Sequence, residues 1–134
     1  MMVLTVYASH VVEHLDYAGE LQTTLKEWHR VLAPRGQVLI SVPDLDVLAG
    51  LMVEKDKLSV DQRFHVMPML FGGHVDRYDY DVVGLNEDFL ASFLGQAGFS
   101  NIRKVPELDR FEDTSGMVFS GVAISLTMIA DKSI

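Results

Sequence analysis

Two histidines and a glutamate near the N-terminus have the spacing that most directly suggests chemistry. His10, Glu13 and His14 form the pattern H-x-x-E-H, which on a helix puts both imidazoles on one face. Histidines at that spacing bind zinc, and the glutamate beside them acts as a base. The string ends within two residues at Asp16, which leaves little helix to hold an ion. A zinc-dependent hydrolase through these three residues is therefore a remote alternative, and we expect no metal in the chain.

The same string also fits a binding site at the ends of two parallel strands. Ser9 and His10 follow a first apolar run, and Pro43 and Asp44 follow a second. In open α/β sheets, ligands bind outside the carboxyl ends of parallel strands. Both pairs of residues would then line one crevice. A capping or core-edge role for His10 remains an open alternative.

Other familiar catalytic signatures are missing from the sequence. None of the ten glycines forms G-x-G after an apolar run, so a glycine-rich phosphate loop is not predicted. There is no cysteine, which excludes disulfides, thiolate ligands and cysteine nucleophiles. Asp76, Asp79 and Asp81 alternate as calcium ligands do, but without the glycine that such a loop needs. We expect them to form a solvated acidic loop.

Strand and helix patterns alternate in the first third of the chain, around the candidate residues. Residues 1–8 are almost continuously apolar, which is typical of a strand buried on both faces. Residues 16–32 have an apolar stripe at helical spacing, with Asp16 as a candidate cap. Residues 37–42 form a second apolar run. This βαβ unit predicts two parallel strands joined by a right-handed crossover.

The remainder of the chain predicts a less regular segment and an antiparallel finish. Residues 44–84 are irregular, apart from a hint of a short helix at 45–52. A helix is predicted at 86–97, a strand at 102–106, and an antiparallel strand at 122–128 because apolar and small polar residues alternate there. The chain is therefore predicted to be a single α/β domain over residues 1–134.

Composition narrows the class of partner. The chain has 134 residues, 49% hydrophobic and 22% charged, which is typical of a globular domain. Eleven basic and nineteen acidic residues give a net charge of −8, which argues against nucleic acid and against an anionic membrane surface. No apolar run approaches the roughly 18 residues of a membrane span. The start has no basic flank, so we expect a cytoplasmic protein.

Four motifs in order resemble a known family. The chain carries A-S-H-V-V-E-H-L at 8–15, R-V-L-A-P-R-G at 30–36, V-P-D at 42–44 and A-G-F at 97–99. This order resembles the second half of class I S-adenosylmethionine-dependent methyltransferases, from their fourth strand onward. The resemblance covers roughly residues 4–105. It implies a partial Rossmann-like methyltransferase sheet with strand order four, five, seven, six and an antiparallel strand seven.

The resemblance implies methyl transfer from S-adenosylmethionine to an unknown small-molecule acceptor. Ser9 and His10 would lie at the cofactor edge, and Glu13, Asp44 and His74 near the acceptor. No catalytic base is identified. The family's first strands, with their glycine-rich turn and ribose-binding acid, have no counterpart here. We therefore expect a truncated form that does not bind cofactor alone.

The same resemblance raises an expectation about assembly. Residues 1–8 would lie in the middle of the complete sheet, but here they form an edge without lysine, proline or glycine to protect it. We expect a homodimer in which two copies of this strand pair antiparallel. Two alternatives remain: a non-catalytic homo-oligomerising interaction module, and an enzyme whose other half comes from another chain.

Overall fold

A four-stranded mixed sheet organises the chain in the computed structural model, which describes residues 2–77, 79–106, 118–119 and 121–134. Met1 and Tyr78, which fall in two predicted segments, lie outside the described residues. The elements in chain order are β1 (Val3–Ser9), a 3-10 turn (Val12–His14), α1 (Glu20–Val31), β2 (Leu32–Pro43), α2 (Leu45–Met52), α3 (Val60–Phe71), α4 (Glu87–Gln96), β3 (Ser100–Val105), β4 (Val118–Phe119), β5 (Val122–Ala123) and β6 (Ser125–Asp131).

The order of the strands in the sheet is β1-β2-β6-β3. β1 and β2 are parallel, and β6 runs antiparallel to both β2 and β3. This confirms the predicted α/β sheet, in which a parallel pair of strands is followed by antiparallel strands and helices pack on the sheet. A parallel start and an antiparallel finish place the carboxyl ends of β1 and β2 together at one edge of the sheet.

The apolar core lies between this sheet and helices α1 and α4. Leu21 and Leu25 of α1 and Leu90 and Leu94 of α4 are fully buried, as is Ile40 of β2. Each such side chain contributes roughly 1.5–3 kcal/mol when it leaves water. A second, smaller cluster of Leu48, Val66 and Ile124 packs α2 and α3 beside the sheet. That second cluster holds α2 and α3 near the carboxyl ends of β1 and β2.

The prediction that residues 1–8 are buried on both faces is wrong. β1 is an edge strand that pairs with β2, and its Leu4 side chain is 74% exposed. Val3 and Val6 are half-buried against the core, and Ala8 is buried. The apolar run therefore reflects a strand with one covered face.

Two local predictions about α1 and its surroundings also need correction. The helix begins at Glu20, after Gly19, and Asp16 does not cap it. The Asp16 carboxylate instead accepts a hydrogen bond from the Ala18 amide at 3.0 Å, in the turn before the helix. β2 begins at Leu32, so the strand starts five residues before the apolar run predicted at 37–42. The helix predicted at 45–52 and the one predicted at 86–97 are confirmed, with Asn86 as the cap of α4.

Helix α3 is the element that the sequence pattern missed. Its start has a capping box: the Ser59 hydroxyl accepts from the Gln62 amide at 3.1 Å, and the Gln62 side chain accepts from the Ser59 amide at 2.8 Å. Pro68 lies inside the helix, within the segment predicted to be irregular. No helix in the described residues has the length and apolar character needed to cross a membrane.

Candidate functional site

A cavity of about 260 Å³ lies at the carboxyl ends of β1 and β2, under α3 and the segment that follows it. Part of its wall is apolar and comes from Pro43, Met69 and Ile124. The polar and charged side chains on the wall are those of His10, Glu13, His14, Asp79, Asp81 and Ser125. The position is the one where open α/β sheets bind ligands.

A tight backbone turn after β1 directs side chains into this cavity. His10 has a φ of 55°, in the left-handed region that residues other than glycine rarely adopt. Its amide donates to the Ser41 carbonyl of β2 at 2.7 Å, which holds the turn against the neighbouring strand. The buried Val12 side chain then anchors the short 3-10 turn that carries Glu13 and His14. Backbone strain of this kind is concentrated at functional sites.

The segment after α3 closes the opposite side of the cavity. The Val82 amide donates to the Glu13 carbonyl at 2.9 Å, and the Nδ1 atom of His14 lies 2.8 Å from the Tyr80 carbonyl. These two contacts join parts of the chain that are more than sixty residues apart. They place the Asp81 side chain beside Glu13 and His14, with Asp81 Oδ1 at 3.4 Å from His14 Nδ1.

Acidic groups in this cavity are buried close to one another. Glu13 is 4% exposed, and its Oε1 atom has no hydrogen-bond partner among the described residues. Its Oε2 atom lies 3.4 Å from His10 Nδ1. The side chain of Asp81 is 9% exposed. Burial, and secondly the charge of Glu13, raise the pKa of Asp81 to about 6, against the opposing effect of His14. The predicted solvated loop is therefore wrong for Asp81.

Of the five predicted site residues, the structure brings two into the cavity wall. His10 and Glu13 line it, whereas Ser9, Asp44 and His74 do not. The hydroxyl oxygen of Ser9 is nevertheless buried, without a hydrogen-bond partner in the described part of the chain.

Asp44 and His74 have local roles at the borders of the site. The Asp44 carboxylate caps α2 by accepting from the Asp46 amide at 3.1 Å. The His74 ring lies 2.7 Å from the Phe71 carbonyl through Nε2 and stacks on Tyr80 with ring centroids 3.9 Å apart. These contacts shape the segments that border the cavity.

The H-x-x-E-H string does not form the helical metal motif that its letters suggest. Only a three-residue 3-10 turn covers Val12–His14, so His10 and His14 do not share a helix face. In the described chain, the side chains whose ligand atoms all lie within 4.8 Å of one another are Glu13, His14 and Asp81. Sequence reasoning missed Asp81, because the only local signal was its place in the acidic segment that follows two glycines.

No protein-family model and no curated protein sequence matches the chain. Solved structures do match. The CurJ carbon methyltransferase is 18% identical with a TM-score of 0.54, and covers 98% of this chain and 30% of its own. Human N-acetylserotonin methyltransferase, in complex with SAM, is 16% identical with a TM-score of 0.57, and the match covers 97% of this chain and 29% of the methyltransferase. A SAM-dependent methyltransferase from Archaeoglobus fulgidus is 14% identical with a TM-score of 0.58, and the match covers 98% of this chain and 60% of that enzyme.

These similarities define the fold. The chain has the class I fold of SAM-dependent methyltransferases, and it spans between 29% and 60% of the length of these three structures. At identities below 20%, the likeness concerns the fold, and the site has to be argued from its own residues.

Proposed function

We propose that this chain forms the acceptor-side half of an S-adenosylmethionine-dependent methyltransferase, and that the cavity binds a small-molecule methyl acceptor. The observation that carries the proposal is the position of the cavity, at the carboxyl ends of β1 and β2 in a sheet with methyltransferase strand order. Ligand sites in open α/β sheets occur at this edge.

The residues at the end of β1 fit one edge of the cofactor. Ser9 offers a buried hydroxyl oxygen without a partner in the described residues, and a polar ligand group would satisfy it. His10 follows at once, in the tight turn. S-adenosylmethionine supplies, when bound, a methyl group on a positively charged sulfur. We assign Ser9 and His10 to this edge.

The cavity wall supports an orienting role toward the acceptor. The apolar side chains of Pro43, Met69 and Ile124 exclude water from one side. The His10 ring lies between Glu13 Oε2 at 3.4 Å and Ser125 Oγ at 3.3 Å, so both ring nitrogens face a polar partner. That arrangement fixes the imidazole in place. In-line methyl transfer depends mainly on holding the two reactants in position.

The 134 residues alone are proposed to bind S-adenosylmethionine weakly, with a Kd on the order of millimolar or worse. No glycine-rich turn follows a strand in this sequence, and such turns supply much of the contact to a nucleoside ligand. Asp44 and His74, although outside the cavity wall, remain candidates on the acceptor side because they border it.

An NMR titration of the ¹⁵N-labelled chain tests the proposal. S-adenosylmethionine at about 5 mM should shift the amide signals of Ser9, His10 and their neighbours, and Ser9→Ala should reduce those shifts. Val60→Ala, on the exposed side of α3, is the matched control and should leave them unchanged. Amide shifts that are distributed over the whole chain, or that are absent at Ser9 and His10, would contradict the assignment. Micromolar binding of S-adenosylmethionine in calorimetry would contradict the proposal that these residues alone bind the cofactor weakly.

A further inference from the structure

We propose that Glu13, His14 and Asp81 form a binding site for a hard divalent cation, of the class of Mg²⁺ or Mn²⁺. One ligand atom from each of the three side chains lies within 4.8 Å of the other two. Ligands at about 2.1 Å from an octahedral ion lie about 3.0–4.2 Å apart. The observed spacing therefore needs side-chain movements of less than about one ångström to close on an ion.

The unsatisfied oxygen of Glu13 is an independent observation for the same site. Glu13 is 96% buried, it lines the cavity, and its Oε1 atom has no hydrogen-bond partner in the described part of the chain. A buried carboxylate oxygen without a partner is costly, so native structures pair such atoms with a donor or an ion. A cation between Glu13 and Asp81 supplies the missing partner.

The charge around the cavity favours a cation as well. Three carboxylates, those of Glu13, Asp79 and Asp81, line it. No lysine or arginine side chain lines the same cavity in the residues that the structure describes. The imidazoles of His10 and His14 lie 3.4 Å from Glu13 and Asp81, respectively, and Arg77 lines the adjoining cavity with both histidines. A divalent ion would balance the two buried carboxylates directly.

Hydrogen bonds behind the three ligands already hold them in position. The contact between His14 Nδ1 and the Tyr80 carbonyl at 2.8 Å fixes the ring orientation, as backbone carbonyls do behind many metal-binding histidines, and it leaves Nε2 as the nitrogen that can bind the ion. The bond from the Val82 amide to the Glu13 carbonyl at 2.9 Å ties the segment carrying Asp81 to the 3-10 turn. The ligands from both sides are thus held near one another before any ion binds.

The donor set indicates which ions fit. Two carboxylates and one imidazole, without any thiolate, suit Mg²⁺ or Mn²⁺, which keep water in their remaining positions. Tight structural zinc sites use four protein ligands, frequently cysteines. A cation bound here would be contrary to the expectation from the sequence that the chain has no metal. Its binding requires neither S-adenosylmethionine nor an acceptor, so the site goes beyond the proposed function.

Mn²⁺ binding to the metal-free chain tests the site. The free ion is followed by electron paramagnetic resonance after treatment with a chelator, and we expect one site per chain. Glu13→Gln and Asp81→Asn should each weaken binding at least tenfold. Asp88→Asn, which removes one exposed carboxylate from α4, is the matched control and should bind as the wild type does.

A second measurement on the unmodified chain keeps the proposal testable if a variant does not fold. Substoichiometric Mn²⁺ should broaden the amide signals of residues 13–14 and 80–82 before all others. Broadening centred on other acidic residues would overturn the proposal. So would the absence of a stoichiometric site up to about 1 mM Mn²⁺, or unchanged affinity in folded Glu13→Gln and Asp81→Asn chains.

Discussion

Among the described residues other than glycine, four have a positive φ: His10, Arg35, His74 and Asn101. Two of them, His10 and Arg35, have different consequences. At His10, a φ of 55° turns the chain after β1 and directs the next residues into the cavity. At Arg35, a φ of 68° lies at an irregularity of β2, between Leu32, which pairs with Val3, and Gln37, which pairs with Thr5. The strain at Arg35 is remote from the site, whereas the strain at His10 shapes it.

Arg35→Gly should stabilise the chain by about 0.5–1 kcal/mol, because glycine adopts positive φ without the steric cost that other residues bear. The hydrogen bond from the residue 35 amide to the Lys132 carbonyl at 2.9 Å does not depend on the side chain and should persist. Urea unfolding of both chains measures the difference, and equal or lower stability of the glycine variant would contradict it.

Gly36→Ala provides the opposite comparison at the next residue. A Cβ there would lie 2.8 Å from the Ala33 carbonyl oxygen and 3.0 Å from that of Leu4. Both atoms belong to backbone that cannot easily move. We expect this variant to unfold at lower urea concentration than the wild type.

At the level of elements, prediction from sequence succeeded where the signal was local. The stripe of α4 and its Asn86 cap lie within one helix, and the short apolar runs of β1 and β2 marked strands. Helix α3 was not predicted because Pro68 interrupts its apolar pattern, although Ser59 and Gln62 have the spacing of a capping box. Asp81 was missed for a different reason: its burial depends on contacts with Glu13 and His14, more than sixty residues away, which no local pattern encodes.

Ser59→Ala should destabilise the chain by about 1 kcal/mol, because it removes the hydroxyl that accepts from the Gln62 amide at the start of α3. Ser59→Thr retains an accepting hydroxyl and should keep most of the stability. Thermal unfolding of the three chains provides the comparison. If alanine and threonine behave alike, the cap does not contribute as the geometry suggests.

One carboxylate adds side-chain hydrogen bonds to the backbone pairing of β3 with β6. Asp131 accepts from Asn101 Nδ2 at 2.8 Å, and from Arg103 Nη1 and Gln37 Nε2, each at 3.2 Å. The hydrogen bond from Asn101 is the main cause that lowers the pKa of Asp131, burial opposes it, and Arg103 and Gln37 lower the pKa further. The carboxylate thus links β6 to both of its neighbours.

Asp131→Asn should lower stability at pH 7 by no more than about 1 kcal/mol, because the side chain is 26% exposed and solvent screens its ion pair with Arg103. A folded pKa below the unfolded one means that this contribution is present above about pH 4 and disappears as the pH falls through the folded pKa. Urea midpoints at several pH values should therefore converge at low pH. A difference that grows on acidification would refute the assignment.

At the scale of the whole molecule, the unpaired edge of β1 is the surface through which we propose that this chain assembles. β1 pairs with β2 on one side, and no described strand pairs with its other side. Met2 and Leu4 on this edge are 61% and 74% exposed. An unpaired apolar edge is a template for another strand, and a twofold dimer satisfies both copies at once. We keep the predicted homodimer through residues 1–8 as a proposal.

Leu4→Lys should convert the dimer of this 134-residue chain into a monomer. Leu4 is largely exposed in the single chain, so lysine there should not disturb the core, whereas two facing lysines would repel each other across an antiparallel pair of β1 strands. Val60→Lys is the matched control, because Val60 is 76% exposed and lies on α3, away from β1. Light scattering at about 100 μM should give a dimer for the wild type and for the control. A wild-type monomer at that concentration would exclude this interface, and a dimer that persists in Leu4→Lys would place the contact elsewhere on the surface.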